Sequence, residues 1–384
     1  MFNFKRGMSF VLIVLLLLSP SMAYAGGNFD VSVDSAILVD AQTGQVLFAK
    51  NEHKQLPPAS ITKVMAILLV MEALEAGEIS LEDEVTASQL ASSKGGSQIW
   101  LSTGEKMSVE DLLVATIIPS ANDATVALAE YIGGTKGNFV RMMNRRAGEL
   151  DMENTYFANA TGLPVKGGGT YTTAYDIAIM SRELAKHDLY FNWSGRRTAR
   201  IRDGEYPVFT TNELIGHFAG ADGLKTGWTT EAGYGLVGTA DHGDGRLISV
   251  VLGAESDDER VNETIRLLSH GFRAFIRDIF VVEGTEVGSA EVDKGREAEV
   301  PVRTVNSFEA FIERGTKGDV EQEIVIDREL EAPVEEGEPV GQLVFTQYGN
   351  ELGSVELVTA GEVERAGIFT LIFRWVRDFI MGFF

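Results

Sequence analysis

The stretch Pro57-Pro58-Ala59-Ser60-Ile61-Thr62-Lys63, running into Val64-Met65-Ala66-Ile67-Leu68-Leu69-Val70-Met71, organises the chain. The two prolines end an extended segment, because proline pushes the residue before it out of the helical region. The apolar run that follows reads as a helix buried on all sides. On such a helix Ser60 and Lys63 lie three apart and share a face within one turn. A hydroxyl and an amine in reach, at the mouth of an apolar helix, are what a Ser-Lys nucleophile pair requires. Burial lowers the amine's pKa until it can take the serine proton. Alone, the pattern carries little weight, since Ser-x-x-Lys is usually a cap beside a solvated lysine. The rest of the chain decides.

At 384 residues the chain can hold two domains with real cores, and its apolar share of 45% and charged share of 23% are ordinary for a globular protein. A net charge of −23 is not ordinary; such a surface repels nucleic acid. There is no cysteine, which excludes disulfides, thiolate catalysis and cysteine-ligated metal. Lys5 and Arg6, the apolar run Phe10 to Leu18 and the Ala23-Tyr24-Ala25 cleavage pattern read as a signal peptide over residues 1–25. The expected location is therefore outside the cytoplasm, on the periplasmic face of the cytoplasmic membrane.

Further along, residues 35–40 and 45–50 flank a Gly44 turn and predict a hairpin. Gly95 to Leu101 reads as a loop entering a strand, and Ser108 as the cap of a helix with acids in its first turn. Helical pattern runs to Pro119, breaks at Ser120-Ala121-Asn122, and resumes from Asp123 to Tyr131. Phe139 to Leu150 predicts another helix, whose Met142 and Met143 belong to the core, and Thr173 opens a further one through Ala185. Three strands (Leu224–Thr229, Tyr234–Ala240, Leu247–Gly253) and a helix from Asp257 to about Phe275 complete the first domain, residues 26–278. Short alternating runs then predict a small β-domain over 279–361. In the tail, residues 362–384, Thr370, Arg374, Arg377 and Asp378 form one polar stripe on an otherwise apolar cylinder, the pattern of an amphipathic helix lying in a membrane interface.

Competing signatures are absent: no G-x-S-x-G elbow, no H-E-x-x-H, no P-loop, and no metal spacing among the five histidines. Gly233-x-Gly235-x-x-Gly238 matches a dinucleotide fingerprint but sits inside a predicted strand with no helix after it, the wrong context. Ser120-x-Asn122 falls at a helix break, where side chains can enter a cleft. Lys225-Thr226-Gly227 falls in a predicted strand, where the glycine permits close approach of a substrate backbone.

Taken in order, S-x-x-K, S-x-N and K-T-G are the motif set of serine β-lactamases and penicillin-binding proteins. The chain resembles a low-molecular-mass penicillin-binding protein, a D-alanyl-D-alanine carboxypeptidase, over essentially its whole length. Leu56–Met65, Pro119–Leu128, Asn159–Leu163, Thr173–Ala178 and Asp222–Thr229 carry the likeness. The resemblance implies an α/β (α+β) transpeptidase-like sandwich with an antiparallel sheet, and a chemistry that needs no cofactor or metal. It assigns Ser60 as nucleophile, Lys63 as base and Ser120 as proton relay to the leaving amine. Asn122 would orient substrate and Lys63, while Lys225 and Thr226 hold the substrate carboxylate beside Gly227. The backbone N–H groups of Ser60 and Trp228 would form the oxyanion hole, and Arg260 would assist carboxylate binding. The implied partners are the peptidoglycan pentapeptide, β-lactams as covalent inhibitors, and a membrane reached by the tail. A β-lactamase or endopeptidase on the same fold is the nearest rival, and a tethered wall-binding scaffold the rival of another class. The lack of an E-x-x-L-N sequence between Asn122 and Lys225 favours the carboxypeptidase.

Overall fold

The computed structural model describes residues 29–372 apart from 167, 244, 369 and 371. The expected signal peptide lies outside the described residues, as does most of the tail on which the interface helix was expected. Among the described residues no helix is long and apolar enough to cross a membrane.

The first unit opens with β1 (Ser35–Asp40), β2 (Val46–Lys50) and α1 (Lys63–Glu75). Next come β3 (Glu84–Thr86), α2 (Gln89–Ser92), β4 (Lys106–Ser108), α3 (Val109–Ile117), α4 (Asn122–Gly133) and α5 (Lys136–Glu149). After α6 (Ala174–Leu184), α7 (Asp188–Ser194) and a hairpin of β5 (Thr198–Ile201) and β6 (Tyr206–Phe209), the chain forms β7 (Ala221–Thr229), β8 (Gly233–Asp241), β9 (Arg246–Ala254) and α8 (Asp257–Ala274).

The central sheet is antiparallel, in the order β2-β1-β9-β8-β7. Both its faces are covered, so its inner strands are apolar at nearly every position rather than alternating. On β1, Ile37 and Val39 join the large core around α1, while Ala36 and Leu38 join the core under α8. The period of two along a strand sends neighbours to opposite layers. Lys63 and every residue from Val64 to Met71 are buried, as expected of a helix apolar all round. The caps read from sequence form: Ser108 accepts from Asp111 N and Thr173 from Asp176 N. Met143 is fully buried and Met142 packs beside it.

One expectation fails for an identifiable reason, and the rejection of the glycine fingerprint agrees with its place in a strand. Gly95 to Leu101 enters no strand, because the N–H groups of Ile99 and Leu101 are taken by the buried Asp123 carboxylate. The glycines of the Gly233–Gly238 fingerprint lie within β8 as packing positions; a Cβ on Gly238 would meet Thr264 Cγ2 at 2.6 Å.

The second unit is all β. Its strands are β10 (Phe275–Val281), β11 (Glu286–Asp293), β12 (Glu299–Thr304), β13 (Phe308–Glu313), β14 (Val320–Ile326), β15 (Leu330–Glu331), β16 (Pro339–Gln347) and β17 (Asn350–Thr359). Six of them form a sheet ordered β14-β16-β17-β12-β11-β15, and β10 pairs with β13. Phe308 stacks on Phe345 at the centre, with ring centroids 4.3 Å apart.

The β1–β2 turn clamps the two units together. Gln45 donates to the Phe311 carbonyl and accepts from its N–H, at 2.6 and 2.9 Å. Arg277 of β10 meets Asp40 at 2.6 Å and Glu309 at 2.7 Å, and Asp40 has no exposed surface. Removing one partner of a buried ion pair leaves a charge without compensation. Arg277→Ala should therefore cost about 3 kcal/mol in urea unfolding, the low end for such a loss. The hydroxyl of Thr43 and the N–H groups of Gln42 and Thr43 still serve Asp40. A loss below about 1 kcal/mol would show that the clamp adds little.

Candidate active site

Ser60 sits in a 3-10 turn, Ala59–Thr62, that delivers the chain into α1. Ala59, just before it, has φ of 49°, a left-handed conformation unusual for alanine. Lys63 Nζ lies 2.8 Å from Ser60 Oγ, 3.3 Å from Ser120 Oγ and 3.4 Å from the Thr161 carbonyl oxygen. The carbonyl can only accept, so it takes one N–H. A neutral amine then has its lone pair free for a hydroxyl proton. Lys63 has no exposed surface. Burial, reinforced by the positive charge of Lys225, holds its ammonium well below the ordinary lysine value, against a weaker pull upward from Asp123.

Three chain segments meet at this amine. Ser120 stands at the break between α3 and α4 with φ of 63°, a strained position that aims its hydroxyl inward. Asn122 does not hydrogen-bond Lys63. Its Nδ2 donates to the Gly95 carbonyl at 2.8 Å, and its Oδ1 is buried with no partner. The role expected for Asn122 in orienting Lys63 therefore has no direct contact behind it, although the free Oδ1 can meet a substrate N–H.

The third segment, Asn159 to Leu163, figured in the sequence only as part of a resemblance. Asn159 Oδ1 accepts from Thr161 N, Thr161 Oγ1 and Gly162 N at 2.8–2.9 Å, and Nδ2 donates to the Leu163 carbonyl. This fixes the Thr161 carbonyl against Lys63. A Cβ on Gly162 would fall 1.7 Å from the Ala59 carbonyl oxygen, so no other residue fits. Asp123, also missed, ties the 95–101 loop over the Ser120 break.

Across the cleft lies β7, an outer strand of the sheet. Gly227 does allow a close approach, but to the protein itself: its Cβ would stand 2.6 Å from the Pro58 carbonyl oxygen. The glycine thus lets β7 lie against the Ser60 turn. Lys225, on the same face two residues earlier, is buried and donates to the Thr226 carbonyl at 3.1 Å. Burial first, and the Arg260 guanidinium second, push its pKa down to about 7. Thr226 shares a 2.6 Å hydrogen bond with Thr211. Trp228 is half exposed, its ring tilted on Tyr234. Arg260 is buried: Nη1 donates to the carbonyls of Gly227 and Gly235, and Nε pairs with Asp257 at 2.5 Å. It braces β7 and β8 behind the site.

A serine paired with a buried lysine, opposite a Lys-Thr-Gly outer strand, defines a serine hydrolase of the penicillin-binding class. A family model described as D-alanyl-D-alanine carboxypeptidase matches residues 22–256, and one described as the C-terminal domain of penicillin-binding protein 5 matches 279–365. The chain belongs to the D-alanyl-D-alanine carboxypeptidase family. It is 37% identical over 348 residues to the D-alanyl-D-alanine carboxypeptidase DacF of Bacillus subtilis, covering 90% of this chain and 89% of that one. Penicillin-binding protein 5 of Haemophilus influenzae superposes with a TM-score of 0.78 at 30% identity, over 88% of this chain and 99% of that one. The ampicillin-bound form of penicillin-binding protein D2 from Listeria monocytogenes gives a TM-score of 0.59 at 33% identity, over 64% of this chain and 99% of that one.

The buried lysines have a thermodynamic consequence. Lys225 has a folded pKa of about 7 against an ordinary 10.5, so the unfolded chain binds more protons between those values. The penalty for burying the charge is full below pH 7, shrinks as pH rises and vanishes above about 10.5. Lys225→Met should raise stability in chemical denaturation, by most at pH 6 and by little at pH 10. An increment that does not change with pH would contradict the assigned burial cost.

Proposed function

We propose that the protein is a serine D-Ala-D-Ala carboxypeptidase that removes the terminal D-alanine of peptidoglycan pentapeptides and is acylated by β-lactams at Ser60. The carrying observation is the solvent-free Lys63 amine between the hydroxyls of Ser60 and Ser120. The family and the relatives named for this activity support the same reading.

Neutral Lys63 takes the Ser60 proton as Ser60 Oγ bonds to the carbonyl carbon between the two D-alanines. Backbone N–H groups of Ser60 and Trp228 stabilise the oxyanion, an effect worth about 3–4 kcal/mol per donor. The proton held on Lys63 passes through Ser120 to the leaving nitrogen, the C–N bond breaks, and D-alanine departs. Water then attacks the ester, gives its proton to Lys63, and restores Ser60. Lys225, with Thr226, holds the free carboxylate of the terminal residue, so the substrate must end there. Export by residues 1–25, and attachment of the tail to the periplasmic face of the cytoplasmic membrane, belong to the same proposal; the basic-apolar-cleavage pattern and the polar stripe at 370, 374, 377 and 378 support them.

Incubation with a penicillin should place the adduct on Ser60 by mass spectrometry, with D-alanine released from a D-Ala-D-Ala peptide in a parallel assay. Lys63→Arg, whose side chain cannot become neutral, should slow acylation about a hundredfold to ten-thousandfold. An adduct elsewhere, or full activity in that variant, would overturn the mechanism.

The pH profile gives an independent check. Carboxylate binding needs Lys225 charged, so kcat/KM should fall as pH rises through about 7. In Lys225→Arg the fall should move to much higher pH. A basic limb that stays in place would assign it to another group.

A further inference from the structure

A groove of about 680 Å³ runs along the outer side of α8, on the face of the sheet away from α1. That volume lies within the usual span of ligand sites, about 300–1,000 Å³. Phe29, Phe218 and Phe272 line it with His242, and its charged lining side chains are Arg266 and Arg273. No carboxylate lines it among the described residues.

Stacking orders the aromatic wall. His242, in the turn between β8 and β9, lies nearly parallel to Phe272, with ring centroids 3.8 Å apart and 13° between the planes. Phe218 stacks on the same imidazole at 5.6 Å and 12°. The Ala219 carbonyl sits 2.9 Å from His242 Nε2 and can only accept, so Nε2 carries the proton. Nδ1 is then an acceptor with no partner among the described residues.

The two cations differ. Arg266 is committed: Nη1 pairs with both Glu263 oxygens at 2.7 and 2.8 Å, and Nη2 donates to the Asp30 carbonyl. Arg273 is exposed, and among the described residues its side chain makes one hydrogen bond, from Nε to the Ser269 carbonyl at 3.0 Å. Both its Nη groups are open to a ligand. Arg314 adds a second unpaired charge, because its Nε and Nη2 donate to the carbonyls of Arg273 and Phe272 and it meets no acid among the described residues. On a chain with 56 acidic and 33 basic residues, two neighbouring guanidinium groups without a carboxylate mark a place kept for an outside anion.

The groove therefore suits a ligand with flat C–H faces, an N–H or O–H donor and a carboxylate. A pyranose ring lays its C–H face on the negative face of an aromatic ring. An N-acyl group on the sugar supplies an N–H for His242, and a carboxylate takes a guanidinium through two hydrogen bonds. The polymer of the proposed function presents these together, as sugars bearing peptides that end in free carboxylates. A lipid headgroup offers an anion without the flat faces.

We propose that this groove is a second, non-catalytic site for a peptidoglycan strand, with an N-acylated sugar against Phe218, His242 and Phe272 and a stem-peptide carboxylate on Arg273. The proposal rests on the carboxypeptidase reading for the identity of the polymer.

The test uses the full chain with Ser60 blocked by a penicillin, so that the catalytic cleft cannot hold the polymer, and follows its co-sedimentation with sacculi stripped of protein and secondary polymers. The blocked protein should pellet with the sacculi, less so in high salt. Arg273→Glu should weaken the binding about tenfold, through loss of one ion pair and its replacement by a repulsion of similar size, and Arg273→Lys should keep part of it. His242→Phe, which keeps the stack and removes the acceptor, should also weaken it. Unblocked Arg273→Glu should release D-alanine from a soluble D-Ala-D-Ala peptide at the normal rate and from sacculi more slowly. Failure of the blocked protein to pellet, or pelleting of Arg273→Glu like the unaltered chain, overturns the second site. Binding of phosphatidylglycerol vesicles, or a dimer that dissociates in Arg273→Glu, with no binding of sacculi, assigns the groove to lipid or to a second copy and also overturns it. Absence of D-alanine release from the soluble peptide by the unaltered chain overturns the carboxypeptidase reading instead.

Discussion

The structure depends on keeping one amine dry. Lys63 is at once the first residue of a helix buried along almost its whole length and the group that must lose a proton at neutral pH. In water its ammonium would be the stable form. Here desolvation removes that advantage and Lys225 adds repulsion, while Ser60, Ser120 and the Thr161 carbonyl satisfy the hydrogen-bonding capacity that burial would otherwise leave stranded. An apolar helix all round is thus a functional requirement as well as a packing choice, because a solvated face near Lys63 would recharge it.

Bringing three segments to within hydrogen-bonding range of a single nitrogen, with β7 close by, demands backbone contacts closer than side chains allow. Gly162 and Gly227 supply them from opposite directions, each lying against a carbonyl of the Pro58-Ala59 turn. Left-handed residues at Ala59 and Ser120 pay for the remaining geometry in strain, of order 1–3 kcal/mol each. Arg260 and Asp123 act a layer behind, one holding the carbonyls of β7 and β8, the other holding the loop over the Ser120 break. The catalytic groups themselves are few; most of the machinery fixes their spacing.

Much of this was legible in the sequence, and the reason is local encoding. The hairpin at 35–50, the strands around Lys225 and the caps at Ser108 and Thr173 announce themselves within a few residues. The order of S-x-x-K, S-x-N and K-T-G pointed to the candidate site. What escaped notice are groups whose role exists only across long separations. Asp123 looks like an ordinary helix N-terminal acid, yet it takes the N–H groups that would have made residues 95–101 a strand. Asn159 looks like a turn residue, yet it sets the carbonyl that steers Lys63. Gly227 has a period-two position and a motif around it, and neither reveals that its neighbour is Pro58 rather than a substrate. The Arg277–Asp40 clamp pairs positions 237 apart, beyond any pattern a local window can hold.

The site's charge explains how a strongly acidic protein accommodates an anionic substrate terminus. Lys63, Lys225 and Arg260 are all buried; the charge of Lys225 makes Lys63 harder to protonate, and the Arg260 guanidinium does the same to Lys225. Lys225, its pKa pushed down to about 7, is sensitive to any charge brought beside it. In the proposed mechanism an arriving carboxylate changes that balance: pairing with it would favour the charged form of Lys225, so binding would carry a proton in. The newly charged Lys225 then repels a charged Lys63 more strongly and favours its neutral, basic state. Substrate recognition and activation of the base are in this way two ends of one electrostatic coupling, and a neutral-ended peptide would forfeit both.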